Sequence, residues 1–343
     1  LENRVTNFPY IKKITLIIMI ASLIFCLGLG IGIFFAENEE VEEQSKKSEK
    51  FNKFDSSLIN EKTQYSKTFQ KVIAKAEQNY NKKTNAELRR QNHNNNFEKK
   101  NHVPEWIANS VPVFKQPEFS YIAIVLDDMG LNRKRSNEVV EFRRPLTLSF
   151  LSYAPNLIEQ TTMASSKGHE LMLHLPMEPL GDEDPGPGAL LVDMKNMELK
   201  QRLNLALEKF PNFIGINNHM GSRFTSNSKL MEFLLSSLKK RGYLFLDSVT
   251  TSASVALRMG RRLAAPVVAR DIFLDDVDNE KEVKLRLAQT ELIAKKTGTA
   301  IAIGHPRKIT LRVLKDWMHN LEQKKIQLVP LSTIAQIRLD KIN

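Results

Sequence analysis

Cysteine is all but missing from this chain: a single residue, Cys26, in 343. That excludes an intramolecular disulfide framework. Glycine and proline are modest at fourteen each, which excludes collagen-like and proline-rich fibrous classes. No G-x-G-x-x-G stretch follows any apolar run, so a dinucleotide-binding sheet is disfavoured. Aromatic residues are 8% of the chain and are not interleaved with the lysines and arginines that give it a formal charge of +11. A nucleic-acid interface needs a basic face with stacking groups, so no nucleic-acid partner is expected. What is present is 42% hydrophobic residues, enough for a sizeable core, distributed over three unlike pieces in series.

Residues 1–13 read as a cytoplasmic N-terminus, ending in Lys12 and Lys13. Ile14 to Phe35 is a run of 22 residues without a charge. As a helix rising about 1.5 Å per residue it covers about 33 Å, against a hydrocarbon core of about 30 Å. Arg4, Lys12 and Lys13 precede it, and Glu37, Glu39, Glu40, Glu42 and Glu43 follow it. The positive-inside bias predicts a single-pass anchor in the cytoplasmic (inner) membrane, with everything after Phe35 on the periplasmic or extracytoplasmic side. A cleaved signal peptide is the competing reading, but its apolar region spans about 7–15 residues and ends at an A-x-A-like site. Phe34-Phe35-Ala36 suits such a site poorly. Residues 36–118 are rich in Lys, Glu, Asn, Gln and Ser, with sparse, aperiodic apolar residues. They read as a polar, disordered tether.

From residue 119 to 343 the pattern changes. Trp106 and the prolines at 104, 112 and 117 suggest an extended lead-in arm. Short apolar runs then recur, as buried parallel strands do. They are Tyr121–Leu126, Leu146–Leu151, Glu170–Leu175, Phe213–Asn217, Tyr243–Leu246, Pro266–Ala269 with Ile272–Leu274, Thr299–Ile303 and Ile326–Val329. Helix-like stretches lie between them, such as Met197–Lys209, Asn227–Arg241, Lys281–Lys296 and Thr310–Gln323, with Ser226 or Asn227 as an N-cap. Strands alternating with helices predict an α/β fold of (β/α) barrel type, complete or distorted, with an open doubly wound sheet as the alternative.

The strand ends carry the chemistry. The first runs into Asp127-Asp128-Met129-Gly130, and the third ends His174-Leu175-Pro176-Met177-Glu178-Pro179. The fourth ends Asn217-Asn218-His219-Met220-Gly221-Ser222, the fifth Asp247-Ser248, and the seventh Gly304-His305-Pro306. In a parallel barrel these ends share one rim, where such enzymes place their active sites. His169 and His319, by contrast, read as surface positions. Each motif alone has an ordinary structural explanation: an Asp-Gly turn, a hydrogen-bonded core histidine, an Asp capping the next helix. Together, two adjacent carboxylates and three imidazoles on one rim are costly to bury without a metal or mutual pairing. That donor set predicts a metal-dependent hydrolytic site using a zinc-type divalent ion.

Ile124-Val125-Leu126-Asp127-Asp128-Met129-Gly130, His174-Leu175-Pro176-Met177-Glu178-Pro179, Asn218-His219-Met220-Gly221-Ser222 and Gly304-His305-Pro306 resemble the divergent polysaccharide deacetylases. These are a distant branch of the NodB-like deacetylases, and the resemblance covers roughly Phe119 to Ile334. It implies a distorted (β/α) barrel and metal-assisted removal of N- or O-acetyl groups from a glycan. By position, Asp128 resembles the metal-binding aspartate and Asp127 the general base. His174 resembles the first metal histidine, and His305 the histidine that protonates the leaving group.

The chain departs from the family pattern in two places. Glu178 stands where the second metal histidine is usual, so His219 reads as the substitute ligand from the next strand. The Arg-Pro-Tyr segment whose backbone helps hold the oxyanion is not recognisable. Arg270-Asp271 reads as the charge that orients Asp127, and Asp247 as a supporting group near the ligands. The expected substrate is an acetylated envelope glycan. The runner-up is a non-catalytic, metal-containing envelope factor that binds glycan or a partner protein, and an anchored amidase or peptidase on the same barrel is a third reading.

Overall fold

The computed structural model describes residues 103–341. The expected cytoplasmic segment, membrane span 14–35 and tether as far as residue 102 lie outside the described residues. Among the described residues no helix is long and apolar enough to cross a membrane. The lead-in arm is not extended throughout: Glu105–Ala108 forms one helical turn, α1. The turn places Trp106 against the apolar interior at 9% exposure, and the Trp106 backbone N–H donates to the Gly242 carbonyl at 2.9 Å. Burying a large ring outweighs the extended preference around the prolines.

The chain then alternates strand and helix: β1 (Ser120–Met129), α2 (Arg133–Val140), β2 (Thr147–Leu151), α3 (Leu157–Ser166), β3 (Glu170–Met177), α4 (Asn196–Leu207) and β4 (Gly215–Met220). It continues with α5 (Ser222–Ser226), α6 (Ser228–Arg241), β5 (Leu244–Asp247), α7 (Ala256–Leu263), β6 (Val267–Ala269) and β7 (Ile272–Phe273). The last elements are α8 (Glu280–Thr297), β8 (Thr299–Gly304), α9 (Lys308–Met318), β9 (Ile326–Leu328) and α10 (Leu331–Asp340). Asn227 is the N-cap of α6, its side chain accepting from the Lys229 and Leu230 amides at 3.1 and 3.2 Å. The stretch expected to be helical over Thr310–Gln323 leaves the helix at Met318 and turns tightly into β9.

Every strand pairing is parallel, in the order β6-β5-β4-β3-β2-β1-β8-β7, with β9 added beside the start of β1. The two ends of this order, β6 and β7, are consecutive in sequence. Val267–Ala269 pairs with β5 and Ile272–Phe273 with β8, so one short bent stretch meets both sides of the sheet. The result is a distorted parallel barrel, not an open doubly wound sheet.

Side chains alternate across each strand. Ala123, Val125, Met172, Leu244, Leu246, Ile301 and Ile303 form one apolar cluster, which α10 closes from below with Leu331, Ile334 and Ala335. A second cluster packs the helices against the outer face of the sheet. Two residues further along the inward-facing rows stand Asp127, His174, Ser248 and His305. The apolar interior therefore ends, strand by strand, in polar groups at one rim.

One irregularity decides how the first strand arrives there. Leu126 pairs with Leu148 but Met129 with Phe150, so β1 carries one extra residue opposite β2. Asp128 takes up that residue with a left-handed backbone, φ 55°. In a regular strand adjacent side chains point to opposite faces; this bulge brings the Asp127 and Asp128 carboxylates to the same side.

Candidate metal centre

Asp128 Oδ1 lies 3.0 Å from His219 Nδ1 and 3.3 Å from His174 Nε2, and the two imidazole nitrogens are 3.2 Å apart. The three residues form a group able to hold a metal ion. Asp128 Oδ1 is buried and receives no well-directed hydrogen bond, so the imidazole lone pairs and this oxygen crowd a common point. Ligands held about 2.0–2.1 Å from a tetrahedral ion stand about 3.3 Å apart. The triangle formed by these atoms matches that spacing, and the donor set fits a divalent cation.

The left-handed turns that follow the strands shape the rim. Besides Asp128, Met220 just after His219 and Val249 just after Ser248 have φ of 52° and 50°. Such backbone is strained for a non-glycine residue, most of all for β-branched valine, and is held only by its surroundings.

Behind this group stands Asn217, fully buried on β4. Its Nδ2 donates to Asp127 Oδ1 at 2.8 Å and to Ser248 Oγ at 3.1 Å. Its Oδ1 accepts from Ser149 Oγ at 2.5 Å and faces His174 Nδ1 at 2.9 Å. Since that oxygen can only accept, His174 carries its proton on Nδ1 and turns Nε2 toward Asp128. The Asp127 Oδ2 atom is 3.7 Å from His174 Nε2.

His305 flanks the other side, with Nε2 3.7 Å from Asp128 Oδ2. Its Nδ1 meets Asp275 Oδ1 at 2.9 Å, and its backbone N–H donates to Asp275 Oδ2 at 2.8 Å. The Thr310 hydroxyl donates to the same oxygen at 2.7 Å, so the carboxylate behind His305 is fixed.

The charges are strongly coupled. Burial alone raises the Asp128 carboxyl, but the His174 and His219 imidazoles hold it well below the usual carboxylate range. Burial opposes a charged His174, yet Asp127 and Asp128 push it up to about 9. The pocket therefore draws positive charge, and a bound cation would displace the imidazole proton. Asp127 is raised by its burial, against the lowering influence of His174, His305 and Asn217. For His305 burial favours the neutral ring, but Asp275 first, then Asp127 and Asp128, raise it.

A sequence profile of the divergent polysaccharide deacetylases matches residues 124–335. The chain belongs to that family. The Escherichia coli K12 protein YibQ is 35% identical over 200 residues, 58% of this chain and 63% of its own length. A Haemophilus influenzae protein is 32% identical over 237 residues, 68% of this chain and 84% of the relative. Among solved structures, the Agrobacterium tumefaciens C58 protein ATU2773 is similar at 25% identity and a TM-score of 0.65, covering 68% of this chain and 99% of that one. The chain thus spans somewhat less than two thirds of the E. coli protein's own length.

Within this family fold, the supporting residues expected from sequence take other places. Glu178 does not join the group of Asp128, His174 and His219: its Oε2 accepts from the Val192 amide at 2.6 Å and its Oε1 pairs with Arg223 at 3.3 Å. The β3 end turns at Pro179, and the carboxylate fastens the following loop. Asp247 binds its own loop, accepting from the Val249 amide at 2.9 Å and Ser254 Oγ at 2.7 Å. Arg270 lies within Coulombic reach of Asp127, but its hydrogen bonds go to the Ser248 and Val249 carbonyls at 2.7 and 2.9 Å. Asp271 faces away, accepting from the Ile301 amide at 2.7 Å and pairing with Arg338 of α10. The group that orients Asp127 by hydrogen bonding is Asn217. His169 is not on the surface but 1% exposed, its Nδ1 accepting from the Leu146 amide and its Nε2 donating to the Val140 carbonyl. His319 is exposed as expected.

Asn217, Ser149 and Asp275 escaped the sequence reading as site residues. Asn217 stands two residues before His219 on one strand, so alternation alone places both on one face. Asp275 opens an Asp275-Asp276 pair directly after an apolar run, the same signal that marks Asp127-Asp128.

Proposed function

We propose that the chain is a metal-dependent carbohydrate deacetylase acting on an acetylated glycan of the cell envelope. The observation that carries this reading is the convergence of Asp128, His174 and His219 with Asp127 and His305 beside them. Asp128, His174 and His219 would hold the divalent ion, with zinc the default for this mixed nitrogen and oxygen set. When bound, the ion supplies a Lewis acid that polarises an acyl carbonyl and acidifies water.

The chain's own residues do the proton work. Asp127 Oδ1 is held by Asn217, which leaves Oδ2 to take the proton of the attacking water. Its burial raises it from the usual carboxylate range, and a base closer to neutrality is the more effective one. His305 has its Nδ1 locked on Asp275, so its Nε2 gives a proton to the departing sugar amine or hydroxyl. A location on the extracytoplasmic side of the inner membrane, anchored through residues 14–35, is supported by the charge-free run and its flanking charges.

The test uses the full chain. Acetate release from N- and O-acetylated oligosaccharides is expected to depend on about one bound divalent ion per chain and to stop on chelation. If the protein holds its ion yet releases acetate from no acetylated glycan and cleaves no activated acetyl ester, the enzyme reading fails. The metal-containing binding factor then stands in its place.

A further inference from the structure

The bulge in β1 that brings both carboxylates to one side ends at Gly130, and that glycine is fastened from outside the site. The Gly130 N–H donates to Ser136 Oγ on α2 at 3.0 Å. The Gly130 carbonyl accepts from Gln160 Nε2 on α3, also at 3.0 Å. The other Gln160 N–H donates to the Pro155 carbonyl at 2.7 Å, tying the β1 turn to the loop that follows β2. Ser136 and Gln160 are 2% and 4% exposed. Neither is in contact with Asp127, Asp128 or the histidines through any hydrogen bond or ion pair among the described residues.

Two further observations mark this as a positioning device, not ordinary packing. Gln160 Oε1 is buried with no hydrogen-bond partner, so the side chain carries an unsatisfied acceptor for the sake of its amide donors. Gly130 itself, at φ 102°, has no room to relax: a Cβ there would stand 2.6 Å from Ala154 Cβ. The backbone two residues before it is the strained, left-handed Asp128. Strain of that kind persists only where the surroundings over-determine it, and both polar groups of Gly130 are set by these two side chains.

We propose that Ser136 and Gln160 form a clamp on Gly130 that holds the Asp128 carboxylate at ligand distance, and so sets the metal affinity of the centre without touching it. This inference rests on the reading of Asp128, His174 and His219 as the metal site.

The experiment measures Co(II) binding to the full chain by competition with a chelator, together with the visible Co(II) spectrum and the melting temperature. Gln160→Met keeps the side-chain length and removes both donors; Ser136→Ala removes the acceptor with a smaller change in volume and serves if the first variant folds poorly. The control is Thr161→Val, whose hydroxyl is equally buried on α3 and bonds only within its own helix. Both clamp variants are expected to bind Co(II) about 10–100-fold more weakly, the usual cost of losing an outer support of a ligand, and to alter its visible bands. Thr161→Val should leave affinity and spectrum unchanged at a comparable drop in melting temperature. Clamp variants that melt earlier but bind Co(II) with wild-type affinity and bands would overturn the clamp alone. A wild-type chain that binds no Co(II) would overturn the metal site and the clamp with it.

Discussion

Replacing Asn217 by aspartate separates the base from the metal ligands with almost no change in volume. Asn217 gives one N–H to Asp127 at 2.8 Å and turns its oxygen to His174 at 2.9 Å. In Asn217→Asp the oxygen facing His174 remains, so the ring keeps its tautomer and gains a charged partner, which strengthens it as a ligand. The other contact becomes carboxylate against carboxylate. Two unit charges 2.8 Å apart repel by about 6 kcal/mol at an effective dielectric of about 20. That corresponds to about four decades in proton affinity, so the pair should share a proton at neutral pH. Asp127 then already shares a proton on Oδ1, which leaves its Oδ2 a poor acceptor for the proton of the attacking water, and turnover should fall by about 10²–10⁴. Metal content should match the wild type. The acidic limb of the pH–rate profile should move to higher pH, because activity returns only when the shared proton leaves. Acetate release across pH, with metal content measured on the same samples, checks this. Turnover close to wild type with an unmoved acidic limb would refute the role of Asn217 as the orienting donor of Asp127.

Three more outcomes are expected. His219→Ala should lose most of the bound ion on metal analysis, because one of three protein ligands is gone, whereas His319→Ala on the exposed surface should retain it. Asp127→Asn should keep the ion and lose about 10²–10⁴ in turnover; His305→Ala should lose as much on sugars but recover on an acetyl ester with an activated leaving group, and equal rescue of both would contradict the division of roles. Burial holds His169 below the ordinary histidine value even though the Val140 carbonyl favours its charged form. The unfolded chain takes up that proton first, so stability is full above about pH 6.5 and is lost as pH falls through the lower folded value; the decline in melting temperature on acidification should be shallower in His169→Gln, and equal slopes would count against it.

The parts of this molecule that local sequence can encode were legible in it. Strand runs such as Tyr121–Leu126 and Thr299–Ile303 are apolar, short and bounded by turns, and they lie within β1 and β8. Asp127, Asp128, His174, His219 and His305 are legible for the same reason, since each follows a short apolar run toward the C-terminal side of its strand. Helices such as α2, whose sequence Arg133–Val140 has apolar residues only at its end, carry too little periodicity to be found. Partnerships across long separations are equally hidden. His169 is buried by groups 23 and 29 residues away, and Asp271 finds Arg338 67 residues on. Glu178 illustrates a third limit: its motif position suggests a supporting role at the centre, but its direction depends on the chain after β3 and on Arg223 of α5. The bulge is the subtlest case, because an Asp-Asp pair reads identically whether the residues share a face or not.

The meeting of β6 and β7 within one bent stretch also bears on how the protein behaves among other unfolded or partly folded chains. A row of unpaired backbone donors and acceptors at the border of a sheet is a template on which foreign strands can add. Here the end strands of the nine-stranded sheet are the three residues of β6 and the two of β7, with the three-residue β9 added beside β1. Arg270 and Asp271 between them tie the bend to the chain on both sides, through Ser248 and Val249 on one and Ile301 and Arg338 on the other. Borders so short, kinked and charged give an incoming strand no continuous ladder to extend. The same two residues that link β6 to β7 thereby leave both end strands poor templates for edge-to-edge pairing.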